Sequence, residues 1–422
     1  MLMKINQINI FFLLAALFLI RLPPFYFFLI DIDIFTSHNF TRLLILISFI
    51  FLNLILYKSK DKILHKKKIF YLLLIYFFTQ SLSVFGAKNI NSFLLIYKNL
   101  FFSLMFFFIS FFIINKNLIK TVFKILILTS FINVIYQLSF YFFSDQIRSY
   151  LDLILYKPHL QFLYYLHEKN KYFVDSFDEL IIPGLIYYII KTRKKFNKFL
   201  IIFLLLSVIF ITFISNSRTK FILLLFSLFC SFFIFKKNFK RLVLLFLFIF
   251  IFFYSFNLLL SSKRKFNVID RMLLKEEIDV KTIKSRFNYW REALDIGKSS
   301  FLIGVGLGNY FDNLTEVSKK ANLNNVIAPY KFIVIDDPHN LFFSTFANSG
   351  ILGLISLSLL AVCFFINDLH SIIYLRRNIY LYIFLVFFWG MFIHAFFNPW
   401  MYYSFLSLFF FIRGVIEKIN FR

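Results

Sequence analysis

Charged side chains are scarce in this chain: 16% of its 422 residues are Asp, Glu, Lys or Arg, against roughly 25% in soluble globular domains. Apolar residues make up 60% and the mean hydropathy is +0.78, far more apolar side chain than a water-soluble fold can hide. Soluble classes are excluded, and a polytopic membrane protein is expected. Cysteine is nearly absent. Cys230 and Cys363 both lie inside apolar stretches without a partner pattern, so neither a disulfide framework nor a thiolate metal site is expected. Also missing are a serine nucleophile elbow, a nucleotide-binding loop, an internal repeat, a coiled coil and a low-complexity tail. No paired carboxylate stands out inside an apolar run, and that lack of buried acid argues against a proton-coupled transporter.

Acidic residues number 21 against 47 basic ones, a net charge of +26. In a soluble chain such a balance would suggest nucleic acid. Here the basic residues come in short bursts between apolar runs, the distribution that the positive-inside rule produces, and no nucleic-acid partner is expected. The 69 phenylalanines accompany abundant Ile, Lys, Asn and Tyr, a bias that an AT-rich genome generates without selection on the rings.

Twelve apolar runs are candidates for crossing a membrane: 8–30, 41–57, 69–86, 93–114, 121–144, 176–190, 199–214, 219–235, 242–260, 341–366, 378–397 and 400–416. The first reads as an anchor rather than a removed leader, because no small-residue cleavage site follows it and further spans do. Basic clusters at Lys58–Lys68, at Lys116, Lys120 and Lys124, at Lys191–Lys198, at Lys236–Arg241 and at Arg376–Arg377 then all fall on one side, the cytoplasm, together with both termini. The expected fold is an all-α polytopic membrane protein of about 12 transmembrane helices, a single integral membrane domain over 1–422. Two segments are expected outside, 145–175 and 261–340. The second is a large external loop with 13 basic and 10 acidic residues, and Ile283, Phe287, Trp290, Ala293, Leu294 and Ile296 are spaced as one apolar face of an amphipathic helix within it.

Three polar clusters interrupt this apolar background. In Ser215-Asn216-Ser217-Arg218-Thr219 a guanidinium sits at the outer turn between two spans, where it either snorkels to lipid phosphates or clamps an anionic substrate group. A second cluster runs from Arg286 to Arg291, with Arg286 and Trp290 four apart on one helical face. The GVGLGNY that follows superficially resembles a dinucleotide fingerprint but has no preceding strand, and reads as a turn returning the helix to the membrane surface. The third cluster is Asp336-Asp337-Pro338-His339-Asn340, where a loop re-enters an apolar run. A carboxylate there can hold the imidazole tautomer so that the free nitrogen takes a proton from a hydroxyl. Two adjacent carboxylates alone would instead suit a divalent metal, though no further ligand spacing is visible. His159 and His394 lie in less polar surroundings and are expected to be packed or interfacial.

Together NSRTK at 216–220, SRFNYWREALDI with FLIGVGLGNY across 285–310, and DDPHNLFFSTFANSGILGLI at 336–355 resemble the O-antigen ligase and O-antigen polymerase superfamily of bacterial envelope glycan enzymes. The three stretches occur in the family order over 200–366. The resemblance implies a glycosyltransferase of the bacterial inner (cytoplasmic) membrane with its active site facing the periplasm. It would use an undecaprenyl-diphosphate-linked glycan as donor, needing no nucleotide, metal or other cofactor. It further implies that Arg218 and Arg286 bind the diphosphate, with Arg291 as a further phosphate contact, and that His339 serves the acceptor hydroxyl as base or orienter. Support of His339 by Asp336, Asp337 and Asn340 is inferred from spacing alone. The acceptor is lipid A core for a ligase, another lipid-linked glycan for a polymerase, or a protein. A lipid-linked oligosaccharide transporter is the competing reading, and would distribute polar groups over several spans.

Overall fold

The computed structural model describes residues 2–21, 42–49, 67–142, 177–215, 217–235, 277–314, 337–374, 378–398 and 403–420. The second external segment is therefore described only in part, and the segment 145–175, the run 242–260 and Asp336 lie outside the described residues. Among the described residues every regular element is a helix: α1 (Leu2–Arg21), α2 (Lys67–Leu82), α3 (Ile90–Ile113), α4 (Lys116–Phe142), α5 (Ile182–Lys191), α6 (Lys195–Ile214), α7 (Arg218–Ile234), α8 (Glu277–Ser299), α9 (Leu341–Tyr374), α10 (Ile379–Ala395) and α11 (Tyr403–Asn420). Short polar residues punctuate the apolar runs, because an Asn side chain at a helix start satisfies amides that have no partner within the helix. Asn89 accepts from the main-chain N–H groups of Asn91 and Ser92, and Asn115 from those of Asn117 and Leu118.

Five helical stretches among the described residues are long and apolar enough to cross a membrane: Lys68–Gly86, Ile90–Ile113, Asn117–Ser139, Lys195–Ile214 and Leu341–Tyr374. Twelve was the expectation from hydropathy. Some of the difference has a local cause. Run 176–190 opens as a 3-10 turn at Asp178–Ile181, and the helix after it has 10 residues, roughly 15 Å against a hydrocarbon core of about 30 Å. The helices in runs 219–235 and 378–397 have 17 residues each, just short of a full crossing.

The chain divides into two compact units, one of Met1–Ile20, Tyr26–Lys120 and Lys281–Arg422, the other of Arg21–Phe25 and Thr121–Val280. In the first, α3 packs against α11 and α2 against α9. Small residues let these backbones approach. The Ser103 and Ser407 hydroxyls lie 2.9 Å apart, and the Ser110 hydroxyl donates to the Phe411 carbonyl beside Gly414, as small polar residues do between membrane helices. Thr79 meets Ser356, and the Ser349 hydroxyl donates to the Gln80 side-chain Oε1 at 2.6 Å.

The helix expected inside the second external segment is present as α8, but its buried face is narrower than the periodicity indicated. Ala293, Ile296 and Gly297 are buried, while Phe287 is 59% and Leu294 36% exposed. The reason is contact with α9: Gly297 lies against the Phe346 ring, and Ala293 and Ile296 pack with Val305, Tyr310 and Ala347.

α9 is two helices joined at Gly350, whose φ of 64° and ψ of −164° are not helical. Such a break frees carbonyls on one side and amides on the other. The FLIGVG turn after α8 takes up both sets: Val305 and Gly306 N–H donate to the Ala347 and Asn348 carbonyls, and Ile351 and Leu352 N–H donate to the Phe301 and Leu302 carbonyls. Gly304 has a φ of +72° and a backbone so close to Asn348 and Ser349 that no Cβ fits. The glycine-rich stretch is a turn, as expected, and it inserts into a helix break.

In the second unit the 3-10 turn at Asp178–Ile181 packs on α5, α6 and α7. The Asp178 carboxylate is paired at 2.8 Å with Arg21, which also donates to Ser130 at 2.6 Å. Glu179 accepts from Thr212 and is buried, as is Lys220.

Candidate functional site

The loop before α9 is built by the sequence Asp337-Pro338-His339-Asn340. Asn340 caps the helix, its side-chain oxygen accepting from the Phe342 and Phe343 N–H groups at 2.9 and 3.2 Å, while its Nδ2 donates to the Phe396 carbonyl. Asp337 accepts the His339 main-chain N–H at 2.9 Å and the Ser344 hydroxyl at 2.8 Å. Its carboxylate thus fixes the backbone of His339 rather than its ring. With both neighbours anchored, His339 is held at a φ of 55°, a left-handed conformation uncommon outside glycine and concentrated at functional sites.

The Nδ1 of the His339 ring is buried and has no hydrogen-bond partner among the described residues. Burial, and secondarily the Arg286 guanidinium, hold the imidazole at about 4, against an ordinary 6.5. The Tyr289 ring lies 6.3 Å from it. One turn of α8, from Arg286 to Trp290, therefore faces the loop, and Trp290 stacks on Phe343 of α9 at 5.4 Å. Arg291 on the same helix is exposed. It does not share the half-buried setting of Arg286.

A relay behind His339 was not legible in the motif: the Asn348 amide donates to the Ser344 hydroxyl at 3.3 Å, and that hydroxyl donates to Asp337. Ser344 and Asn348 are four apart and share one face of α9, a spacing visible in LFFSTFANSG only once the helix start is known. Among the described residues no three His, Cys, Asp or Glu side chains converge as metal ligands.

Arg218 belongs to the second unit, where it is the first residue of α7, half-buried, directly after the Ser217 cap. A cation is unfavourable against the positive end of a helix, and a guanidinium placed at that end favours an anion beside it.

The expectation that buried acid is lacking is overturned. Asp368, Glu417, Asp178 and Glu179 are all at most 4% exposed. Asp368 accepts from Arg413 at 2.7 Å and from the Trp389 indole at 2.9 Å, and Arg413 also pairs with Glu417. The apolar runs 341–366 and 400–416 stop just short of Asp368 and Glu417, which is why the pair escaped a reading by hydropathy. The cue was Arg413, an arginine inside a candidate span. His394 is buried as expected, its ring on Phe405 at 5.6 Å.

Apolar helices of spanning length in two helical units define a multi-pass α-helical membrane protein. A family model described as O-antigen ligase matches residues 200–358, so this stretch, which holds Arg218, α8, the FLIGVG turn, the His339 loop and the Gly350 break, belongs to the O-antigen ligase and polymerase superfamily. The match supports ligase or polymerase activity of that general kind. No curated protein matches the chain.

Proposed function

We propose that the protein transfers a glycan from an undecaprenyl-diphosphate-linked donor to an acceptor hydroxyl in surface polysaccharide synthesis, as ligase or polymerase. The observation that carries this reading is the buried Nδ1 of His339, beside Arg286 and without a hydrogen-bond partner among the described residues. The acceptor oxygen attacks the anomeric carbon, its proton passes to the imidazole, and the bond to the diphosphate oxygen breaks, so the leaving group departs as an anion. Arg286 is suited to that anion, and the setting of Arg218 at the start of α7 suits a phosphate as well. Donor binding also primes the base. An anion against Arg286 offsets one of the two causes that depress the imidazole, so His339 becomes more basic once the diphosphate is in place.

Lipid A core and lipid-linked glycans are the acceptor classes the family implies. Residues 261–340 are assigned to the periplasmic side of the inner membrane; a cysteine at exposed Lys298 is expected to react with an impermeant thiol reagent in intact spheroplasts, and protection there would overturn the assignment. The function itself is tested with purified protein, a defined lipid-diphosphate donor and each acceptor class, scoring the glycosylated product. A lipid-linked oligosaccharide transporter is the second reading, favoured by the buried Asp368–Arg413–Glu417 group. Movement of labelled donor between leaflets of reconstituted vesicles without product formation would select it.

A further inference from the structure

Trp290 is fixed from two sides, stacked on Phe343 with ring planes 24° apart and edge-on to Phe287 at 5.1 Å. The turn that carries it is pinned by the Tyr310 hydroxyl, which donates to the Tyr289 carbonyl at 3.0 Å. The indole nevertheless stays half-buried, and its Nε1–H is buried with no acceptor among the described residues. An indole N–H is a donor only and ordinarily finds a partner when it is buried. Beside it, Tyr289 lies against His339. Tyr289 and Arg286 thus border the imidazole, and Trp290 follows Tyr289 in the chain and lies four residues after Arg286 on the same helical face.

We propose that Tyr289 and Trp290 are the platform for the donor sugar attached directly to the diphosphate, Trp290 offering its N–H to a ring, hydroxyl or acetamido oxygen of that sugar. The proposal rests on the glycan-transfer reading. A pyranose presents a face of C–H groups to an aromatic ring and oxygens around its rim, the complement of a rigid indole with a free donor. The first sugar is joined to the phosphate through a single oxygen, so with the phosphate on Arg286 it must lie within a turn of that residue. Trp290 shares the face of Arg286 at that spacing, and its neighbour Tyr289 reaches His339, where the anomeric carbon has to react. An acceptor sugar has no such covalent tie to Arg286.

The test compares binding of two probes to the purified full-length protein: undecaprenyl diphosphate without sugar, and the same lipid diphosphate bearing one sugar. Trp290→Ala is expected to weaken the sugar-bearing probe about tenfold, the scale of one aromatic contact, and to leave the bare probe within about twofold. Trp290→Phe keeps the packing on Phe343 and loses only the donor, so its loss on the sugar-bearing probe falls between wild type and Trp290→Ala. This second variant keeps the test valid should the alanine protein fold poorly. Equal losses on both probes, no loss on either, or a change confined to the KM of the acceptor would each overturn the platform. Wild-type protein that binds neither probe would instead overturn the donor class on which the proposal rests. Wild type that binds both equally would remove the platform alone.

Discussion

An imidazole whose basicity is held at about 4 stays neutral through the physiological range, so it can accept a proton at pH 7 but accepts it weakly. The pH profile follows. kcat/KM reports the free enzyme and is expected to lose activity only as pH falls toward 4, whereas kcat reports the donor complex, where an anion on Arg286 lifts the acid limb above about 4 by the smaller of the two causes, burial continuing to hold it below the ordinary value. Coincident limbs in the two profiles would remove the coupling. Stability changes in the same direction: the unfolded chain binds the proton near 6.5 and the folded one only near 4, so the contribution of His339 is present above about 6.5 and lost as pH falls through that window. His339→Ala should lower single-turnover transfer about 10²–10⁴-fold with near-normal donor affinity. For Arg286→Ala and Arg218→Ala most transfer should vanish while the protein still inserts. Lysine should restore part of it, since it lacks the planar fork, and full activity of both alanine variants at limiting donor would refute a phosphate role.

The elements that set up these residues are α8, the FLIGVG turn and the broken helix α9. Their dependence on Gly350 can be measured. A φ of +64° with ψ near −164° is a conformation essentially reserved for glycine, costing other residues about 1–3 kcal/mol, and an added Cβ would meet the main chain of Leu302 and Ile303. Gly350→Ala should therefore depress the thermal midpoint in detergent more than Gly297→Ala, whose new methyl meets a Phe346 ring that can turn aside. The amphipathic pattern of α8 and the glycine-rich turn were both legible in the sequence. That the turn fills a gap in α9 was not, because a helix break needs φ and ψ at one residue, and ANSGILGLI reads by hydropathy as an unbroken run.

Across the whole molecule, buried charge is the feature that hydropathy concealed. Removing one member of a buried ionic group leaves its partners uncompensated, typically costing about 3–5 kcal/mol. Arg413→Met is expected to destabilise the protein on that scale, and combining it with Asp368→Asn and Glu417→Gln should recover most of the loss in thermal melts. A single variant as stable as wild type would refute a stabilising role for the ionic group. The sequence by itself determined the membrane class, the helical content and the superfamily motifs, because each depends on composition or on spacing along one chain, and it singled out His339, Arg286 and Arg218 as the candidates that the proposed function uses. Tertiary structure alone decided that Asp337 holds the backbone of His339, that Ser344 and Asn348 stand behind it, that the Trp290 N–H is buried without an acceptor among the described residues, and that Asp368 meets Arg413. Those pairings join residues by orientation and by packing between helices, and neither is encoded in the hydropathy of any single run.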